Sequence, residues 1–118
     1  MTRQWLALPK LMCLNHRLGE HAETHMFLRK MERGYSLKGF QEGSMFFGAS
    51  YLIVRHELLA LGFQGHKTPL IMSDDLKEKY PLVIPTERDY EKSITDLITR
   101  CKECRYLHYD YLDGRISV

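Results

Sequence analysis

At 118 residues the chain can bury one modest core and no second, and 44% apolar with 27% charged residues is the composition of an ordinary globular domain. No apolar run approaches the roughly 20 residues that span a bilayer, and the opening MTRQWLALPK has too short an apolar stretch for a signal peptide. Three cysteines are an odd number and nothing suggests secretion, so the expectation is an intracellular protein with reduced thiols and no membrane partner.

Net charge is only +2, but residues 1–72 carry nine Lys/Arg against five Asp/Glu while residues 73–118 carry eight against ten. A polyanion should prefer the surface built by the first half.

Residues 2–9, TRQWLALP, form an apolar lead closed by Pro9 and are expected to run as an extended N-terminal segment. A first helix is expected from about residue 10 to residue 33, with Gly34 suited to the left-handed position that ends helices. GYSLKGFQEGS reads as a loop punctuated by glycines. A second helix should begin near residue 45 or 50 and end before Gly62, with Leu52, Ile53, His56, Leu59 and Ala60 at helical spacing. GFQGHKTPL is turn-rich, SDDLKEKY is one helical turn capped by Ser73, and PLVIP is extended between its prolines.

The third helix is the best marked. Thr86 stands three residues before Asp89, close to a capping box, and Tyr90, Ile94, Leu97, Cys101 and Cys104 continue as one apolar stripe. The aromatic tail YLHYDYLDGRISV is expected to be extended or irregular. The result is an all-α fold: one domain over residues 1–118, with three main helices, long connecting loops and an extended N-terminal segment.

The stretch GEHAETH carries two carboxylates and two histidines in seven positions. Turned at 100° per residue, Leu11, Leu14, Leu18, His21, Ala22, His25 and Leu28 share one face, the expected core face, within about 120°. His16, Glu20 and Glu23 fall within about 60° of each other on the opposite, outward face. The order His-x-Glu-x-His is not the His-Glu-x-x-His of zinc proteases. Carboxylates a turn apart repel and resist ionisation unless cations such as Arg3 or Arg17 lie near.

Residue 2 is a threonine, before which an initiator methionine is normally removed. The α-amine so exposed has an ordinary pKa of about 7.7–8.0, against about 10.4 for lysine, and is substantially neutral and nucleophilic at physiological pH. Such an amine can attack the anomeric carbon of a sugar and form a Schiff base, and a nearby carboxylate can stabilise the cationic sugar and move protons.

In these features the chain resembles the phage-type pyrimidine-dimer DNA glycosylases with abasic-site lyase activity, the dimer-specific endonuclease V family. That family begins Met-Thr-Arg and continues with a helix carrying His-x-x-x-Glu-x-x-Glu; here those positions read Thr2, Arg3, His16, Glu20 and Glu23. PKLMCLNHRLGEHAETHMF and the later GHKTPL look like its compact bacterial and viral branch. The resemblance is good over roughly the first 30 residues and loosens to about residue 70. Where phage-type members carry arginines beside the catalytic glutamate, this chain has Ala22 and Met26, and where they read Gly-Ala-Gly-His it reads Gly48-Ala49-Ser50-Tyr51.

The resemblance implies Thr2 as amine nucleophile and Glu23 as essential carboxylate, with Arg3, His16 and Glu20 in the DNA-binding active site. It implies strand cleavage by β-elimination after base removal, on damaged double-stranded DNA with a base extruded from the stack. No metal or organic cofactor is expected, because the imine is itself the electron sink. Lys10, Arg17, Lys30 and Lys38 would hold phosphates, with His66 and Lys67 in the turn before Pro69 as further contacts, so binding should weaken steeply with salt. A monomer is expected. Two alternatives stand beside this reading: a non-catalytic DNA-binding module of the same fold, and a small zinc protein using Cys13, His21, His25 and the Cys101/Cys104 pair.

Overall fold

A computed structural model describes residues 3–63 and 69–117. A 3-10 turn over Pro9–Leu11 precedes six α-helices: α1 (Leu14–Glu32), α2 (Lys38–Glu42), α3 (Ala49–Ala60), α4 (Asp74–Lys79), α5 (Glu87–Arg100) and α6 (Lys102–Leu112). The fold is all-helical, with no strand among the described residues. The three expected main helices correspond to α1, α3 and α5.

Local end signals account for three of the boundaries. Gly34, at φ +76°, closes the turn after α1, where its N–H bonds the Met31 carbonyl. The Ser73 hydroxyl caps α4 at the Leu76 N–H, and Thr86 and Asp89 form a complete capping box on α5.

Three expectations change. The first helix begins at Leu14, because Met12 and Cys13 are extended after the 3-10 turn. The glycine-punctuated loop contains the short helix α2. The tail is helical rather than irregular: the third helix stops at Arg100, Cys101 turns extended, and α6 starts there. The Arg105 guanidinium folds back to donate to the Ile98 and Thr99 carbonyls at 2.7 and 3.3 Å, satisfying the end of α5 with a cation.

α1 packs on α3, α5 on α6, and the 3-10 turn on α6. One core cluster joins Phe27 and Met31 of α1 to Leu37, Phe46, Leu52, Leu70, Met72 and Tyr80. A second gathers Trp5, Ala7, Met12, Cys13, Leu97 and Cys104. Gly48 is required where the 47–49 and 80–83 segments meet: its φ is +98°, and a Cβ there would stand 2.3 Å from the Pro81 carbonyl oxygen.

The buried line of α1 is Glu20, Thr24, Phe27 and Met31, rotated by about a third of a turn from the expected core face. Leu14 and Leu18, expected inside, are 53% and 48% exposed, and Ala22 is exposed with them. Apolar side chains ring this helix without favouring one side, so its orientation is decided by partners on other elements. The chief partner is Arg55 of α3, which meets Glu20 inside the protein.

Residues 3–7 lie outside any helix and are buried. Gln4 is held at both ends: its N–H donates to the Met45 carbonyl at 2.8 Å, and its Oε1 accepts from the Phe47 N–H at 2.8 Å. The Leu6 N–H donates to the Ser93 hydroxyl of α5 at 2.9 Å. Arg3 is 1% exposed, with its guanidinium 4.0 Å over the Trp5 ring and 3.1 Å from the Asp96 carboxylate.

Candidate functional site

The N-terminal segment lies against the two carboxylates of α1. The Arg3 N–H donates to Glu23 Oε2 at 2.8 Å, and the Glu20 carboxylate lies beneath the same segment, bridged to it by Arg55. Glu23 thus holds the start of the described segment directly, and Glu20 reaches it through Arg55 and the Ala7 carbonyl.

Their surroundings differ. Glu20 is 1% exposed and chelated by Arg55, whose Nη2 donates to Oε1 at 2.8 Å and whose Nε bonds Oε2, while Arg55 Nη1 donates to the Ala7 carbonyl at 2.7 Å. Burial pushes the Glu20 carboxyl up, against the pull of the guanidinium. Glu23 is only partly buried; desolvation also raises it, opposed by the Arg3 N–H. Such a carboxylate accepts protons more readily than an exposed one.

Arg3, His16 and Glu20, expected at a DNA surface beside Glu23, are all turned to internal partners. Arg3 sits on Trp5 and Asp96, Glu20 on Arg55, and the His16 Nδ1 faces Cys13 Sγ at 3.1 Å. The triad drawn on one outward face is thus three separate arrangements, because three different chain segments converge on that face. Thr2, His66 and Lys67 lie outside the described residues.

Of the basic residues, Lys10 and Arg17 line one cleft of about 460 Å³ with Leu8, Leu58 and Leu61. Lys30 stands 5.9 Å over the Tyr35 ring, and the exposed Lys38 pairs with Glu42 at 3.8 Å. Helical geometry puts Lys30 on the same flank of α1 as Glu23, with Arg17, His21 and His25 on the other. No family model, curated protein or solved structure matches the chain.

Two groups of metal-binding side chains stand apart from Glu23. In the first, Cys13, His16, Cys101 and Cys104 bring their ligand atoms within 4.8 Å of one another. Cys13 Sγ is 3.8 Å from Cys101 Sγ, and His16 Nδ1 is 3.7 Å from Cys104 Sγ. All three thiols are free. Burial pushes the Cys104 thiol up to about 12; burial also acts to raise Cys101, but hydrogen bonds led by the Cys104 N–H outweigh it and leave that thiol lowered. Burial lowers His16, against the opposing charge of Glu103.

In the second group, His21 and His25 of α1 meet His56 of α3, with ring centroids 4.8–5.1 Å apart. The zinc alternative had gathered Cys13, His21 and His25 with Cys101/Cys104. The structure divides that set and brings in His16 instead. The overlooked signal was spacing: Cys13-x-x-His16 and Cys101-x-x-Cys104 are two matched pairs, hidden by reading His16 as one of the carboxylate triad. Arg55, the partner that buries Glu20, carried no comparable signal.

Proposed function

We propose that the chain is a DNA glycosylase with abasic-site lyase activity, in which the Thr2 α-amine is the nucleophile and Glu23 the carboxylate that manages charge and protons. The observation that carries this reading is the 2.8 Å hydrogen bond from the Arg3 N–H to Glu23. The bonded nitrogen belongs to the peptide link to residue 2, whose α-amine is three covalent bonds away. The neighbouring contacts of Gln4, Leu6 and Arg3 hold the segment that follows residue 2.

In the reaction, the neutral amine attacks C1′ of the damaged nucleotide. A C1′–N bond to the protein forms as the bond to the base breaks, and the base leaves with a proton. Glu23 stabilises the cationic sugar, takes the proton released from the attacking nitrogen and returns it to O4′ as the C1′–O4′ bond opens, leaving a protonated imine and an O4′ hydroxyl. Loss of a C2′ proton sends its electron pair toward the imine and expels the 3′ phosphate oxygen. Water then hydrolyses the imine and frees the amine. Lys30 on the Glu23 flank, with Lys10, Arg17, Lys38, His66 and Lys67, supplies phosphate contacts.

The test is borohydride trapping on a duplex with one abasic site, using protein whose mature terminus is verified as Thr2 by mass. A covalent adduct is expected, and it should vanish when Met1 is retained or the terminus is acetylated. Glu23→Gln keeps an acceptor for the Arg3 N–H, so it should lower strand cleavage by about 100-fold or more while leaving duplex affinity nearly unchanged. No adduct from correctly processed protein, or equal losses of cleavage and binding in Glu23→Gln, would overturn the reading.

A further inference from the structure

We infer that Cys13, His16, Cys101 and Cys104 form a structural zinc site that fastens the start of α1 to the junction of α5 and α6. The inference does not rest on the glycosylase reading and stands if Thr2 is not a nucleophile.

Two helix starts face each other, and each presents the same pair of positions. Cys13 is the N-cap of α1 and His16 its third residue; Cys101 is the N-cap of α6 and Cys104 its third residue. A cap and the third helical position point to the same side, so each start makes a two-toothed clamp. This explains the x2 spacing of both pairs.

Two of the three distances match the edges of a tetrahedral ion, and the third, from His16 to Cys13, is shorter. With zinc–sulfur bonds of about 2.3 Å and zinc–nitrogen bonds of about 2.05 Å, tetrahedral edges are about 3.8 Å between sulfurs and about 3.6 Å between sulfur and nitrogen. The Cys13–Cys101 sulfurs are 3.8 Å apart, and His16 Nδ1 is 3.1 and 3.7 Å from the Cys13 and Cys104 sulfurs. A disulfide requires about 2.05 Å and would leave a third thiol and an imidazole facing it without purpose. Three thiols with one imidazole are the soft donor set that selects zinc among divalent ions.

The surroundings are those of thiolate ligands. The Cys13 N–H donates to Cys104 Sγ at 3.2 Å, and the Cys104 N–H donates to Cys101 Sγ at 3.4 Å, spreading sulfur charge into the backbone. Zinc with three thiolates carries one net negative charge, which two helix starts of about half a positive charge each would offset. Trp5, Met12 and Leu97 pack around Cys13 and Cys104, and the Trp5 ring meets His16 edge-on at 5.8 Å, so the cluster is apolar on one side while His16 and Cys101 stay half-buried. An ion here joins residues 88 positions apart, so its binding energy is folding energy.

The test uses the whole chain, expressed without a histidine tag. Elemental analysis should find one zinc per chain that Cys101→Ser/Cys104→Ser loses and His25→Gln keeps. Cobalt(II) in place of zinc should give thiolate-to-cobalt charge-transfer bands and tetrahedral ligand-field bands in the wild-type chain, which keeps the inference testable if the double variant fails to fold. Chelation should lower the melting midpoint on the order of 10 °C or more. Protein with no bound metal and no thiolate bands on cobalt titration overturns the site. So does a stoichiometric metal other than zinc, or zinc retained by Cys101→Ser/Cys104→Ser, which would point to His21, His25 and His56.

Discussion

Replacing Arg55 by methionine should be among the most damaging single changes in this protein. Methionine keeps much of the apolar stem but removes every hydrogen bond that Arg55 gives to Glu20 and the Ala7 carbonyl. Glu20, 1% exposed in the folded chain, would lose both of its Arg55 hydrogen bonds. Breaking one half of a buried pair costs about 3–5 kcal/mol, a large part of the roughly 5–15 kcal/mol that holds a domain folded. At about 4 °C per kcal/mol for a chain this size, the melting midpoint should fall by about 12–20 °C.

Urea denaturation followed by helical ellipticity would measure the loss directly. The deficit should shrink as pH falls. Without the guanidinium, burial holds the Glu20 carboxyl above its unfolded value, so the unfolded chain releases a proton that the folded chain keeps, and stability drops as pH rises through that window. The double change Glu20→Met/Arg55→Met removes both charges and should recover most of the stability. A loss below about 1 kcal/mol in Arg55→Met, or a double variant no better than the single one, would refute the buried-pair account.

Gly48→Ala should destabilise by about 1–3 kcal/mol, because alanine at φ +98° is strained and its Cβ would meet the Pro81 carbonyl; an unchanged urea midpoint would show that the 47–49 and 80–83 segments are not in that contact. Tyr51 is pushed up to about 12 by burial, so alkaline absorbance should show one of the seven tyrosines ionising late. Between about pH 10 and 12 the unfolded chain has lost that proton and the folded chain keeps it, so stability should fall with rising pH there; Tyr51→Phe should flatten that part of the profile.

The parts of the fold legible in the sequence are those set by neighbours along the chain. Gly34, Ser73 and the Thr86–Asp89 pair mark helix ends through bonds that span only three to five residues, and each works as its residue type requires. The break between α5 and α6 has no proline or glycine to announce it. It depends on Arg105 reaching back to Ile98 and Thr99 and on Cys101 serving as a cap, a task its sulfur performs toward the Cys104 N–H. The face of α1 was illegible for a related reason: a wheel prices Glu20 as a solvated charge, and Arg55 lies 35 positions away.

The same lesson separates the two proposed sites. His16, Glu20 and Glu23 share a helical face, yet one faces cysteines, one is chelated by arginine, and one receives the Arg3 N–H. Of the three, only Glu23 combines partial exposure to solvent with a hydrogen bond from the Arg3 N–H, which is why the proposed function rests on it. The thiol–imidazole cluster begins at Cys13, where the buried N-terminal segment and its 3-10 turn end, and the hydrogen bonds of Arg3, Gln4 and Leu6 hold the other end. A metal at Cys13 would therefore restrain residues 3–13 without touching Glu23. On the proposed glycosylase function, metal removal should lower cleavage, whereas acetylation of the terminus should stop cleavage with the metal in place.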